Sequence, residues 1–200
     1  IVGLLLADTN LAGEIKDIPR EGTLLPETYK FDYGMSRAKL IEHMTQEQMK
    51  LVREIWAKRD PDLPIASPQD LVILASIVEK ETGKADERSR IAGVFLNRLQ
   101  KRMRLQSDPT ILYGLTRGQT QWGKPITRND INSRTEHNTY QIPGLPPTPI
   151  CAVTSYGPMR VPGASVICRE YAAAAGRPMH AGEPGRRRAR VSPPCIRALP

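Results

Sequence analysis

Ser67-Pro68-Gln69-Asp70-Leu71-Val72-Ile73-Leu74-Ala75-Ser76-Ile77-Val78-Glu79-Lys80-Glu81-Thr82-Gly83 is the stretch that decides the fold. Ser67 is a strong N-cap, Pro68 suits the first helical position, and Asp70 stands where a capping-box acid reaches back. Leu71 to Thr82 then read as helix, and Gly83 is expected to take the left-handed position beyond its end. With Leu74 as zero, Glu81 falls within about 20° of it, in the middle of the apolar face, and Glu79 about 140° away on the flank. A carboxyl on an apolar face loses hydration, which disfavours its charged form. A general acid working near neutral pH needs that property. Helical geometry leaves two other readings open: a last-turn Glu81 that exits to solvent, or one that pairs with a buried Arg.

Upstream, Ser36 can cap a helix running to about Arg59, where Asp60-Pro61 and Pro64 end it. Leu40, Ile41, Met44, Leu51, Val52 and Ile55 recur at helical spacing and form its inward face, while the charges form a solvated one. Ile1 to Leu6 is too short to span a bilayer and reads as the end of a core helix. A turn-rich connector through Pro19, Gly22 and Pro26 follows it. Downstream, a third helix opens at Asp86 and ends near Met103. Beyond Leu105 the density of Gly and Pro predicts loops, functional or padded with short strands.

The 200 residues, 40% apolar and 25% charged, permit a real core and exclude wholesale disorder. The net charge of +8 is unevenly spread: residues 1–150 hold 21 Lys and Arg against 19 Asp and Glu, and residues 151–200 hold 8 against 2. Lysine is absent after residue 150, and all three cysteines (Cys151, Cys168, Cys195) fall there. Two compositions are therefore joined near Ile150. The expected organisation is a folded unit over 1–150 and a disordered or non-native basic tail over 151–200, as a shifted reading frame would produce. Arg186-Arg187-Arg188-Ala189-Arg190 has the look of a nucleic-acid patch. The core is nearly neutral, so nucleic acid is not an expected partner.

Gln106-Ser107-Asp108-Pro109-Thr110 is a polar cluster between apolar neighbours. Asp108 is a second candidate carboxylate, or a turn initiator before Pro109. His43 and His137 lack a second ligand at metal spacing, so no metal is expected. Gly-rich phosphate loops and Ser or Cys nucleophile signatures are absent. Carboxylates, amides and aromatics in loops remain, the groups of a carbohydrate site.

Six ordered blocks now carry a resemblance. They are Glu21-Gly22-Thr23-Leu24-Leu25-Pro26-Glu27-Thr28-Tyr29, the Ala75–Thr82 segment, Arg90 to Leu99, Met103 to Thr110, Asn138-Thr139-Tyr140, and Gly144-Leu145-Pro146-Pro147. Together they resemble the YceG-like, endolytic murein transglycosylase family over roughly residues 20–150. The resemblance implies a helix-rich α+β catalytic domain that cleaves the β-1,4 bond between N-acetylmuramic acid and N-acetylglucosamine, leaving 1,6-anhydro ends. It implies Glu81 as the catalytic residue, with Glu79 in reserve, and Gln106, Ser107, Asp108, Asn138 and Tyr140 lining the groove. No cofactor is implied. Partners would be peptidoglycan strands and cell-wall synthases, with an upstream anchor in the bacterial inner membrane and the domain facing the periplasm. His137 replaces the family's aromatic before Asn-Thr-Tyr, which alters one wall of the expected groove. The alternatives are a muramidase-type hydrolase using Glu81 and Asp108, and a non-enzymatic glycan or nucleic-acid binder.

Overall fold

A computed structural model describes residues 1–84, 86–119 and 122–154. Six helices follow in order: α1 (Val2–Ala7), α2 (Arg37–Ala57), α3 (Pro68–Glu81), α4 (Arg88–Gln100), α5 (Asp108–Thr116) and α6 (Arg128–Asn132). The decisive stretch folds as its signals dictate. Ser67 Oγ accepts the Asp70 N–H at 3.1 Å and Asp70 Oδ2 accepts the Ser67 N–H at 3.0 Å, a closed capping box with Pro68 in the first turn. The end of α3 differs from expectation. Thr82 turns extended (φ −143°, ψ 138°), and Gly83 does not take the left-handed conformation. Thr82 Oγ1 donates to Glu87 Oε2 at 2.9 Å and accepts the Lys84 N–H at 3.1 Å, so a side chain supplies the turn expected from Gly83.

Helix α3 is the hub, packing against α2, α4 and α5. Leu71, Ile73, Leu74, Ile77 and Val78 meet Ile55, Leu63, Ala92, Phe95, Leu96, Leu105 and Ile150 in the main core. Ser76, fully buried in mid-helix, donates to Ile73 O at 2.7 Å and accepts the Ile150 N–H at 3.0 Å. That bond lays the end of the described chain along α3. Cys151 Sγ reaches Ser76 O and Thr154 Oγ1 reaches Glu79, so contact with α3 continues past Ile150 through Thr154. Residues 155–200, which include most of the expected tail, lie outside the described residues.

A smaller cluster of Leu11, Leu24, Leu40 and Met44 packs the connector onto α2. Arg37 fastens α1 to it: its guanidinium donates to Leu5 O and Asp8 O at 2.8 Å and to Gly13 O at 2.7 Å, covering carbonyls that a helix end leaves open. Helix α1 buries none of its residues, and Leu4 and Leu6 are exposed; Leu5 packs, partly buried, against the smaller cluster, so α1 sits at the edge of a core rather than within one. Two more corrections concern the loop-rich half. The α+β expectation fails among the described residues, which form helices and one isolated bridge, Ala12 to Ser36, but no strand. The segment beyond Leu105 is not simply loop: Ser107-Asp108-Pro109 starts α5, and a second capping box, Thr127 with Asp130, starts α6. The third helix begins at Arg88 rather than Asp86 and ends at Gln100, where the chain turns through left-handed Arg102 (φ 54°).

Candidate active site

Glu81 is the last residue of α3 and is exposed. The desolvation expected from its place on the apolar face is therefore not present: the helix ends before the neighbouring layer can cover it. Instead, Ser107 Oγ donates to Glu81 Oε2 at 2.9 Å. Asp108, first residue of α5 and exposed, accepts a bond from Tyr140 Oη at 2.7 Å. That bond, with burial and the charges of Asp108 and Glu81, pushes the Tyr140 phenol up to about 12, while Arg98 opposes it. Tyr140 therefore keeps its proton across the physiological range. The ends of α3 and α4, the start of α5 and the loop at 138–140 thus meet around two carboxylates.

Two guanidiniums that sequence reasoning did not single out hold this junction. Arg98 Nη1 donates to Leu105 O, and Arg104 Nη1 donates to Tyr140 O at 2.8 Å. Both lie inside the recognisable blocks, but nothing in their spacing distinguishes them from surface charge. Gln106 is exposed and left-handed (φ 55°), with its N–H bonded to Thr139 O at 3.2 Å.

Other candidates sit elsewhere. Asn138 is fully buried and does not line the surface. Its Nδ2 donates to Ile131 O at 2.9 Å and Ser133 O at 2.7 Å, and its Oδ1 accepts the Tyr140 N–H at 3.0 Å. An amide carries two donors and an acceptor in fixed geometry, which suits it to pinning a loop from inside. Glu79 is half-buried and committed: Arg88 Nη2 and Thr154 Oγ1 approach its Oε1 at 2.9 and 2.7 Å. His137 is not a groove wall either. It is fully buried, tilted against the Tyr113 ring at 4.8 Å, with Nε2 2.7 Å from Thr148 Oγ1. Burial, together with the charge of Arg117, holds its imidazole below the ordinary value, although Glu136 pulls the other way. Among the described residues no group of three His, Cys, Asp or Glu gathers as a metal site. No described helix is long and apolar enough to cross a membrane.

The fold and site define a helix-rich domain with an exposed carboxylate, Glu81, at the end of its central helix. Sequence comparison then gives the family: the YceG-like family model matches residues 5–156, and this chain belongs to that family. It is 35% identical over 133 residues to the endolytic murein transglycosylase of Bacillus subtilis, covering 66% of this chain and 35% of the relative. The endolytic murein transglycosylase of Streptococcus pneumoniae serotype 2 is 34% identical over 136 residues, covering 65% and 23%. The crystal structure of a yceG-like protein from Listeria monocytogenes superposes with a TM-score of 0.57 at 30% identity, covering 80% of this chain and 46% of that one. The chain therefore spans about a third or less of the length of these curated relatives.

Proposed function

We propose that this chain is the catalytic part of an endolytic peptidoglycan lytic transglycosylase. It cuts the β-1,4 bond between N-acetylmuramic acid and N-acetylglucosamine in nascent glycan strands and so ends their elongation. The observation that carries the reading is Glu81, an exposed carboxylate with one oxygen held by a buried hydroxyl. Protonated Glu81 gives its proton to the leaving glycosidic oxygen. The carboxylate then takes the proton of the muramyl 6-hydroxyl as that oxygen bonds to C1, closing a 1,6-anhydro ring. The 6-hydroxyl is tethered to the reacting ring, so proximity replaces a positioned water and a second catalytic carboxylate is not required. These steps need no cofactor. In this reading the whole protein is anchored upstream in the bacterial inner membrane, acts in the periplasm and works beside cell-wall synthases.

Glu81→Gln is nearly isosteric and cannot titrate, so it should lower glycan cleavage by about 10²-fold or more. Glu79→Gln should retain cleavage, since Glu79 serves the Arg88 ion pair. The reverse pattern would move the acid to Glu79. One observation favours a second reading, a muramidase-type hydrolase: Asp108 offers an exposed carboxylate beside Glu81, and hydrolases flank the scissile bond with two. The products separate the two, anhydro ends for the first and reducing ends for the second.

A further inference from the structure

We propose that Ser107 is a positioning residue for Glu81, fixing one carboxylate oxygen so that the other faces the glycan. The inference rests on the reading of Glu81 given above. Its motive is a local rule that the chain breaks. Ser107 is the N-cap of α5, yet its side chain makes no capping bond. A serine there normally turns its hydroxyl onto the N–H groups of the first turn. Here the hydroxyl leaves them and donates to Glu81 Oε2 at 2.9 Å, across 26 residues of sequence. Glu81 Oε1 has no hydrogen-bond partner among the described residues.

The surroundings force that direction. Ser107 is 1% exposed, and Thr110 and Thr139 are fully buried. The Ser107 N–H donates to Thr139 Oγ1 at 3.0 Å, Thr110 Oγ1 donates to Ser107 O at 2.6 Å, and the two threonine hydroxyls meet at 2.8 Å. The Thr139 N–H closes the ring on Thr110 Oγ1 at 3.2 Å. Both backbone groups of Ser107 are thus pinned by buried hydroxyls. The preceding residue, Gln106, is held left-handed without being glycine, a conformation that persists only where the surroundings over-determine it. A clamped backbone, a strained neighbour and a forgone cap converge on one hydroxyl aimed at one carboxylate. This is the supporting shell that keeps a reacting group within a few tenths of an ångström of its working geometry.

The test compares Ser107→Ala, Ser107→Asp and Glu81→Gln with the parent chain, on uncrosslinked peptidoglycan strands with chromatographic counting of released fragments. A positioning role predicts that Ser107→Ala lowers kcat about tenfold or more while KM stays within about twofold. Ser107→Asp caps a helix as well as serine does, but it cannot donate to Glu81 as a carboxylate and repels it. It should lose at least as much kcat. Full activity in Ser107→Asp would show that the bond from this hydroxyl to Glu81 is not needed and would overturn the inference. A second measurement needs no turnover. The Tm loss from Ser107→Ala should be smaller in a Glu81→Ala background than in the parent, because both changes remove the same bond. Additive losses would overturn the inference as well. If Glu81→Gln cleaves like the parent, the proposed function fails. If Glu81→Gln is inactive and Ser107→Ala keeps its kcat, the positioning role alone fails. If the parent cleaves nothing, the function fails and the Tm cycle still decides whether Ser107 is coupled to Glu81.

Discussion

Replacing Asn138 by alanine should unfold the protein more easily without changing how it grips glycan. From a fully buried position the side chain bonds Ile131 O, Ser133 O and, at 3.4 Å, Ser133 Oγ, and accepts the Tyr140 N–H. The two carbonyls keep other donors, Gln141 Nε2 at 2.9 Å and the Thr135 N–H at 3.1 Å. The Tyr140 N–H loses the side-chain acceptor that holds it. One stranded donor costs about 1–3 kcal/mol, and each of the two lost bonds to carbonyls about 0.5–1.5 kcal/mol, giving about 2–6 kcal/mol in all. For a domain of this size that lowers Tm by about 4–24 °C. Asn138→Asp should be no better, because it turns a carboxylate oxygen toward two carbonyl oxygens. Thermal and urea denaturation measure the loss, and the residual folded fraction at low temperature gives KM. An unchanged Tm with a raised KM for glycan would refute the reasoning and return Asn138 to the groove.

Two other predictions follow from packing and charge. A Cβ at Gly114 would collide with Thr135 Oγ1, where α5 meets the loop after α6, so Gly114→Ala should cost about 1–3 kcal/mol in urea unfolding. His137 titrates lower in the folded chain than its ordinary 6.5, so the unfolded chain binds the extra proton. Its contribution is complete above about pH 6.5 and is lost as pH falls below that, so Tm should decline from there toward the carboxylate range. His137→Gln should flatten that part of the profile, and an unchanged slope would contradict the assignment.

The parts legible in the sequence were those written in local code. Ser67, Pro68 and Asp70 announce α3 because a capping box and an N-terminal proline act within one turn. Helix α2 is legible from its apolar spacing and from Ser36, whose hydroxyl accepts the Lys39 N–H. The same code was present at Ser107-Asp108-Pro109 and at Thr127 and Asp130, but the surrounding Gly and Pro masked helices of nine and five residues. The helical angle puts Glu81 on the apolar face, but the desolvation that angle implies does not follow. A helical wheel treats every turn as equally buried, whereas α3 stops at Glu81 and the carboxylate emerges. Asn138 shows the opposite failure. Its motif marks it as important, but whether an amide faces a sugar or three backbone groups is set by long-range folding that no spacing encodes. The Ser107 to Glu81 bond spans helices α3 and α5 and is invisible for the same reason.

The most direct test of the account is the origin of the oxygen at the new glycan end. The chain is incubated with uncrosslinked glycan strands in H₂¹⁸O and the fragments are weighed. Transglycosylation by Glu81 predicts 1,6-anhydro ends free of ¹⁸O, formed by the parent and lost in Glu81→Gln. Reducing ends carrying ¹⁸O would contradict it and give the site to a two-carboxylate hydrolase using Glu81 and Asp108.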